Sequence, residues 1–398
     1  MALLFIAIYA LYVFVKILIE IREIIFIKDA LLKKAVLMQE DEYKVAGLYA
    51  IYSHFLKILS DIVSLIIVVF WFEIGFKIIN FGDGLFKEVV EVIVFFGINY
   101  LFTLPLKIYS KKIDEKFGFS TSDWKLFFKD EIKKAILFLI FGTLIFAGLI
   151  YFIDNFKNWW LIGFLFSFIV VILVNLLFPF FARLFNKFEP LRDEELRGDI
   201  ESLLEKAGFK ADRIFVVDAS KRDTRLNAYF AGIGKVKRVV LYDTLIKKLN
   251  KEELLAVLGH ELGHFKHKDI FKNIAVIGVM LFMLFFVLGH IPDSFFEDIG
   301  LSKNGAGIIM IGIFVSDILF FLLQPIINLV SRVNEFRADE FGSLLVSREA
   351  LRKALGKLVS ENKHFPRVSK FYSILYYTHP PILERIKRLE DESINNRD

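Results

Sequence analysis

The chain has 398 residues, of which 56% are hydrophobic and 46 are phenylalanine, and its mean hydropathy is +0.53. An ordinary soluble domain is about 45–50% apolar, so the balance points to a membrane protein. The net charge of +5 comes from interspersed bases and acids and does not suggest a nucleic-acid partner, and the absence of cysteine excludes disulfides, thiolate metal sites and a cysteine nucleophile.

A membrane-crossing helix needs about 20 apolar residues. Seven stretches meet this requirement: about 1–19, 59–80, 88–107, 135–153, 159–181, 273–291 and 306–329. Glu73 and Glu91 interrupt the second and third. The first lacks a basic leader and a small-residue cleavage site, so it reads as a retained helix rather than a signal peptide. Arg22, Lys28, Lys33, Lys34 and Lys44 follow the first stretch. Lys111, Lys112, Lys116, Lys125, Lys129, Lys133 and Lys134 follow the third. Basic loops stay in the cytoplasm, which places the N-terminus outside and the C-terminus inside.

The organisation expected is therefore five spans over 1–181, a cytoplasmic insert over 182–272, two spans over 273–329 and cytoplasmic helices over 330–398. Within the insert, 192–207 has the pattern of an amphipathic helix ended by Gly208. Arg213–Ala219 and Lys237–Asp243 are rich in Val, Ile and Leu and read as strands. Asn250 caps the next helix, with Glu253 as its capping-box partner. Further helices are expected at about 330–346, 348–361 and 380–391.

That capped helix contains His260-Glu261-Leu262-Gly263-His264, an H-E-x-x-H motif. Residues at i and i+4 share a helix face, so the two imidazoles can bind one Zn²⁺. Zinc lowers the pKa of a bound water toward ~7, and Glu261 is placed to take its proton. A catalytic zinc needs a third protein ligand, which Glu335 in Asn334-Glu335-Phe336-Arg337-Ala338-Asp339 can supply. Asp339, one turn later, can accept the free N–H of a ligand histidine and fix its tautomer. The N-E-x-x-x-D pattern resembles the third-ligand helix of the Glu-type zincins. His267 reads as a boundary residue, and His54, His290 and His364, without acidic neighbours at ligand spacing, read as structural. Glu73, Glu91, Asn99, Asn175, Asp317, Gln324 and Asn328 fall within apolar stretches and are expected to face protein or water.

Several blocks in order give the chain a family resemblance. They are LPLKIYSKKIDEKFGFSTSDWKLFFKDEIKK at 104–134, LFNKFEPL at 184–191, RLNAYFAGIGKVKRVVLYDTL at 225–245, VLGHELGHFKH at 257–267, RVNEFRADEFG at 332–342 and THPPILERIKRL at 378–389. From about residue 100 to 391 the sequence resembles the CAAX prenyl protease 1 (Ste24-like) family of integral-membrane zinc metalloproteases, within the M48 class. The first hundred residues match it in hydropathy alone.

The resemblance implies a mainly α fold. Seven transmembrane helices would surround a chamber, and a cytoplasmic, zincin-like α+β metalloprotease domain would close it. It implies one zinc per chain on His260, His264 and Glu335, with Asn227-Ala228-Tyr229 beside the substrate. There a peptide can add as a strand to a sheet edge. It also implies that His379 and Arg385 lie near the active site, His379 as an oxyanion donor. The partners implied are membrane lipid and a peptide or lipid-modified protein, cut near its C-terminus. Three other readings are weighed. A site-2-type intramembrane protease would carry H-E-x-x-H within a span and L-D-G on another, whereas the flanks of HELGH here are polar and no L-D-G occurs. An HtpX-type quality-control protease shares HELGH and the glutamate helix, but the blocks at 104–134 and 184–191 favour the CAAX-type branch. A scaffold or transporter would carry a non-catalytic zinc, usually with four protein ligands.

Overall fold

The computed structural model describes residues 1–231 and 236–391. Among the described residues, seven helices are long and apolar enough to cross a membrane. They are α1 (Ala2–Leu31), α2 (Glu40–Ile78), α3 (Leu85–Lys116), α4 (Trp124–Asn155), α5 (Trp159–Ala182), α9 (Asp269–Gly289) and α11 (Gly305–Leu345). Each expected span lies largely within one of them, and most of these helices run well past the apolar stretch. The basic residues read as loops instead ride on helix ends: Lys28 on α1, Lys111, Lys112 and Lys116 on α3, and Lys125 to Lys134 on α4. Such prolongations carry the chain out of an apolar layer without breaking its backbone hydrogen bonds.

Aromatic packing holds the spans together. Trp71, Phe76, Phe95 and Tyr9 are almost fully buried in one core with Phe314 of α11. The polar residues inside the spans mostly find protein partners. Trp71 Nε1 donates to Asn99 Oδ1 at 2.7 Å, Tyr9 OH to Asp317 Oδ2 at 2.7 Å, and Asn328 Nδ2 to the Leu375 carbonyl at 2.6 Å. Asn175 bonds only its own helix, at the Val171 carbonyl, and Glu73 is exposed. Large apolar side chains of α5, such as Leu165, Ile169 and Leu173, point outward, as a lipid-facing surface requires.

Between α5 and α9 the chain forms β1 (Phe188–Pro190), α6 (Glu194–Lys206), β2 (Lys210–Val217), β3 (Ala228–Ala231), β4 (Val236–Tyr242), α7 (Asp243–Lys248) and α8 (Lys251–Lys266). The sheet order is β1-β2-β4-β3, with β2 and β4 parallel and the outer pairs antiparallel. Leu203, Leu204, Leu241, Leu258 and Leu262 join the sheet, α6 and α8 into a second core. Asp193 caps α6, and Gly208 (φ +83°) ends it in the left-handed conformation that glycine adopts freely. Asn250 and Glu253 form the expected capping box on α8.

The remaining helices are α10 (Asp293–Asp298), α12 (Arg348–Glu361), α13 (Lys370–Tyr376) and α14 (Ile382–Glu390). One expectation needs correction. The helix read as starting near 330 is continuous with the last span, and α11 runs through 41 residues. No breaker separates the two parts, and Pro325 is accommodated inside the helix. The strands β1 and β3 and the short helix α13 also went unforeseen, because segments of three to seven residues carry little periodicity. Residues 232–235 of the block at 225–245 lie outside the described residues.

Candidate active site

Helices α8 and α11 meet through small residues. A Cβ built on Gly342 would lie 2.5 Å from the His260 amide nitrogen, and one on Gly263 2.8 Å from the Cα of Ala338. Glycine at these points lets the two backbones touch. The contact sets Glu335, buried on α11, against the histidines of α8. Glu335 Oε2 lies 3.5 Å from His260 Nε2, and Oε1 lies 3.4 Å from His264 Nε2. One donor atom from each of the three residues falls within 4.8 Å of the other two, a group that could hold a metal ion.

The donor set fits such an ion. Tetrahedral zinc with bonds of about 2.0–2.1 Å places its ligand atoms roughly 3.3 Å apart. Glu335 Oε2 is buried and accepts no hydrogen bond from the protein, although an unpaired buried carboxylate oxygen is costly.

Both histidines are backed by carboxylates. Asp339 Oδ1 lies 2.8 Å from His260 Nδ1, though out of line with the ring N–H. Arg385 grips Asp339 in a two-bond fork, Nε to Oδ2 at 2.8 Å and Nη2 to Oδ1 at 2.6 Å. The second backing group, Asp269, escaped the sequence reading. Its Oδ2 lies 2.9 Å from His264 Nδ1, and Lys272 Nζ holds its Oδ1 at 2.6 Å while also donating to Asn334 Oδ1 at 3.1 Å. Lys268, at φ +57°, turns the chain between α8 and α9 and so brings Asp269 back to the histidine. An acid just beyond an H-E-x-x-H helix, followed by lysine at i+3, was the signal available.

The electrostatics follow the geometry. Burial opposes protonation of His260, but Asp339 and Glu335 outweigh it and push the imidazole up to about 9. Burial raises the carboxyl of Glu261 above its ordinary range, against the pull of His260 and His264. His379 Nε2 lies 3.2 Å from Glu335 Oε1, with 61% of its side chain open to the space in front of the group.

His260, Glu261, His379 and Arg385 line a cavity of about 570 Å³, as do Asn227 and Ala228. Of the N-A-Y segment, Tyr229 points elsewhere. It alternates to the other face of β3, where its ring meets Phe178 at 6.0 Å. β3 pairs only with β4 among the described residues, so its other edge is open. His54 also lines the cavity, and it is not without an acid: its Nδ1 contacts Glu20, which is far away in sequence.

Fold and site together define a multi-pass membrane metallopeptidase. The chain belongs to peptidase family M48, whose model matches residues 190–393, and is a membrane metalloprotease of the Ste24 type. A second model, the CAAX prenyl protease N-terminal region with five membrane helices, matches residues 31–187. The family match thus begins well before the resemblance read from residue 100 onward. A CAAX prenyl protease 1 homolog of Oryza sativa subsp. japonica is 35% identical over 335 residues, covering 81% of this chain and 78% of its own. CAAX prenyl protease 1 of Saccharomyces cerevisiae is 34% identical over 332 residues, covering 76% and 74%. The crystal structure of S. mikatae Ste24p superimposes with a TM-score of 0.90 at 28% identity, covering 98% of this chain and 99% of that one.

Proposed function

We propose that the chain is a zinc endopeptidase that cuts prenylated proteins near their C-terminus, with its active site on the cytoplasmic side. The observation that carries this reading is the meeting of His260, His264 and Glu335 beside a cavity that His260 lines together with Asn227 and Ala228 at the sheet edge. One zinc per chain would be held by these three side chains. Bound there, it would polarise the scissile carbonyl and make water more acidic.

The protein groups divide the rest of the work. A substrate strand lies along β3 at Asn227 and Ala228 and is held by main-chain hydrogen bonds. Glu261 takes a proton from the attacking water and passes it to the leaving amine; its raised pKa suits both roles. His379 donates to the carbonyl oxygen as that atom gains charge. Arg385 acts through Asp339, which it clamps, and so orients His260. Tyr229 anchors β3 against the end of α5 rather than touching the substrate. The lysine-rich ends of α3 and α4 support the cytoplasmic orientation of this half.

The decisive experiment compares purified wild type with Glu261→Gln. Wild type releases the terminal residues of a farnesylated CAAX peptide and loses this activity to a chelator. Glu261→Gln binds a stoichiometric zinc and is inactive. Full activity in Glu261→Gln would remove the base from the scheme, and turnover of unfolded membrane proteins in place of the prenylated peptide would favour the quality-control reading.

A further inference from the structure

The unpaired edge of β3 is not free along its whole length. Main-chain groups of successive residues in an extended segment point to opposite edges. The Arg225 and Asn227 carbonyls turn toward β4 and Thr244 just beyond it, accepting the Thr244 hydroxyl at 3.0 Å and the Tyr242 N–H at 3.1 Å. Leu226, Ala228 and Phe230 therefore present their N–H and C=O groups to the other edge, which no strand covers among the described residues. Leu226 and Ala228 line the cavity together with His260 and Glu261.

At Leu226 that edge is already occupied. Asn362 Oδ1 accepts the Leu226 N–H at 2.8 Å, and Asn362 Nδ2 donates to the Leu226 carbonyl at 3.3 Å. One carboxamide thus makes both bonds that a residue of a neighbouring strand makes in a hydrogen-bonded pair. The contact is fixed from both sides. Asn362 ends α12, with its own N–H on the Leu358 carbonyl at 3.0 Å, and Leu355, Leu358 and Val359 of that helix line the same cavity. Arg225, beside Leu226, donates to Asp114 Oδ1 and to the Tyr49 hydroxyl, each at 2.7 Å, and lies 4.0 Å over the Phe119 ring. The next edge position is covered more lightly: the Ala228 N–H donates to Oδ1 of its own neighbour, Asn227, at 2.8 Å.

We infer that Asn362 is a specificity-determining residue that ends the substrate strand. Its carboxamide fills the place a substrate residue would take opposite Leu226, and so confines main-chain pairing to Ala228 and Phe230. This rests on the protease reading above and deepens it. A peptide laid along β3 meets the carboxamide, leaves the edge there, and takes its register against the metal-binding group from that point. Edge-facing positions recur every second residue. Removing the carboxamide therefore frees one further pairing place, two substrate residues along.

The test is a scan of fluorescent farnesylated CAAX peptides, each with one main-chain amide replaced by an ester, which removes a single N–H donor. They are titrated into full-length Glu261→Gln protein and followed by anisotropy. Binding is expected to weaken about tenfold at each position that pairs with the edge, the scale of one lost hydrogen bond, and to be unaffected elsewhere. With Asn362→Ala added, the sensitive stretch gains one position, two residues beyond its former end and on one side only. Asn362→Ser, whose side chain is too short to span both Leu226 groups, gives the same gain. Each pattern is read across peptides on one protein sample, so a partly unfolded variant does not alter it. A scan that is flat, or that is the same with and without Asn362, overturns the inference. Uniform weakening of every peptide in both variants also overturns it, since a merely structural residue behaves in that way. Turnover of the all-amide peptide by wild type is scored separately. Cleavage with an unchanged pattern defeats the strand end alone, and a shifted pattern without cleavage defeats the protease reading alone.

Discussion

Asp269 Oδ2 sits 2.9 Å from His264 Nδ1, and Lys272 holds its other oxygen. The pair fixes the imidazole with Nε2 turned toward Glu335. A carboxylate behind a metal-binding histidine sets its tautomer and raises its basicity, and its loss commonly weakens metal binding 10- to 100-fold. Asp269→Ala is expected to lower zinc affinity by about that factor. Competition with a chromogenic chelator measures it, and unchanged affinity would mean that the contact does not orient the ring.

Gly342 is the point of closest approach between α8 and α11. A methyl group there meets the His260 backbone at 2.5 Å, where no flexible side chain can yield. Gly342→Ala must push the helices apart, at about 1–3 kcal/mol for overpacking. The expected result is a lower melting temperature in detergent together with reduced zinc occupancy. Full occupancy with lower stability would show that the site tolerates the shift.

His379 faces the cavity 3.2 Å from Glu335 Oε1, on the segment between α13 and α14 that Arg332 of α11 holds at the Tyr377 carbonyl. His379→Gln is expected to reduce kcat by about 100-fold, the scale of one lost oxyanion donor, with zinc content intact. A rise in KM at constant kcat would instead assign His379 to substrate binding.

Asp243 links the start of α7 to the turn at Ala219–Lys221, accepting the Ser220 N–H at 2.9 Å and the Ser220 hydroxyl. Burial disfavours its charge, but the Ser220 bonds and Lys247 outweigh that and hold its carboxyl below the ordinary value. A depressed folded-state pKa adds stability that is complete at neutral pH and fades as pH falls below about 4. Asp243→Asn is expected to cost about 1.5 kcal/mol at pH 7, the scale of hydrogen bonds to a charged group. Melting curves of both proteins should converge in acid. A constant gap across pH would show that the carboxylate charge is not what stabilises the turn.

Much of this site was legible because its chemistry is local. His260, Glu261 and His264 are ordered by one helical turn, and Glu335 and Asp339 by another. The span count was readable for the same reason, since about 20 consecutive apolar residues leave an unmistakable trace. What escaped depends on long-range packing. The Glu20–His54 contact joins two different helices. The family resemblance grouped Tyr229 with Asn227, yet strand alternation sends it to the opposite face. Asp269 lay in plain view, but its role depends on a left-handed turn at Lys268 that residue identity does not announce.

The uninterrupted helix α11 has a mechanical consequence. At 41 residues it is about 60 Å long, roughly twice the hydrocarbon thickness of a bilayer. Its N-terminal part is embedded among the spans, and its C-terminal part presents Glu335 to the histidines of α8. Because Gly342 and Gly263 seat α8 on this helix backbone to backbone, the histidines rest on the same rod that carries the glutamate. The three donors thus keep their register on a rod whose other half is packed among the spans, and a fragment cut free of those spans would lose that footing.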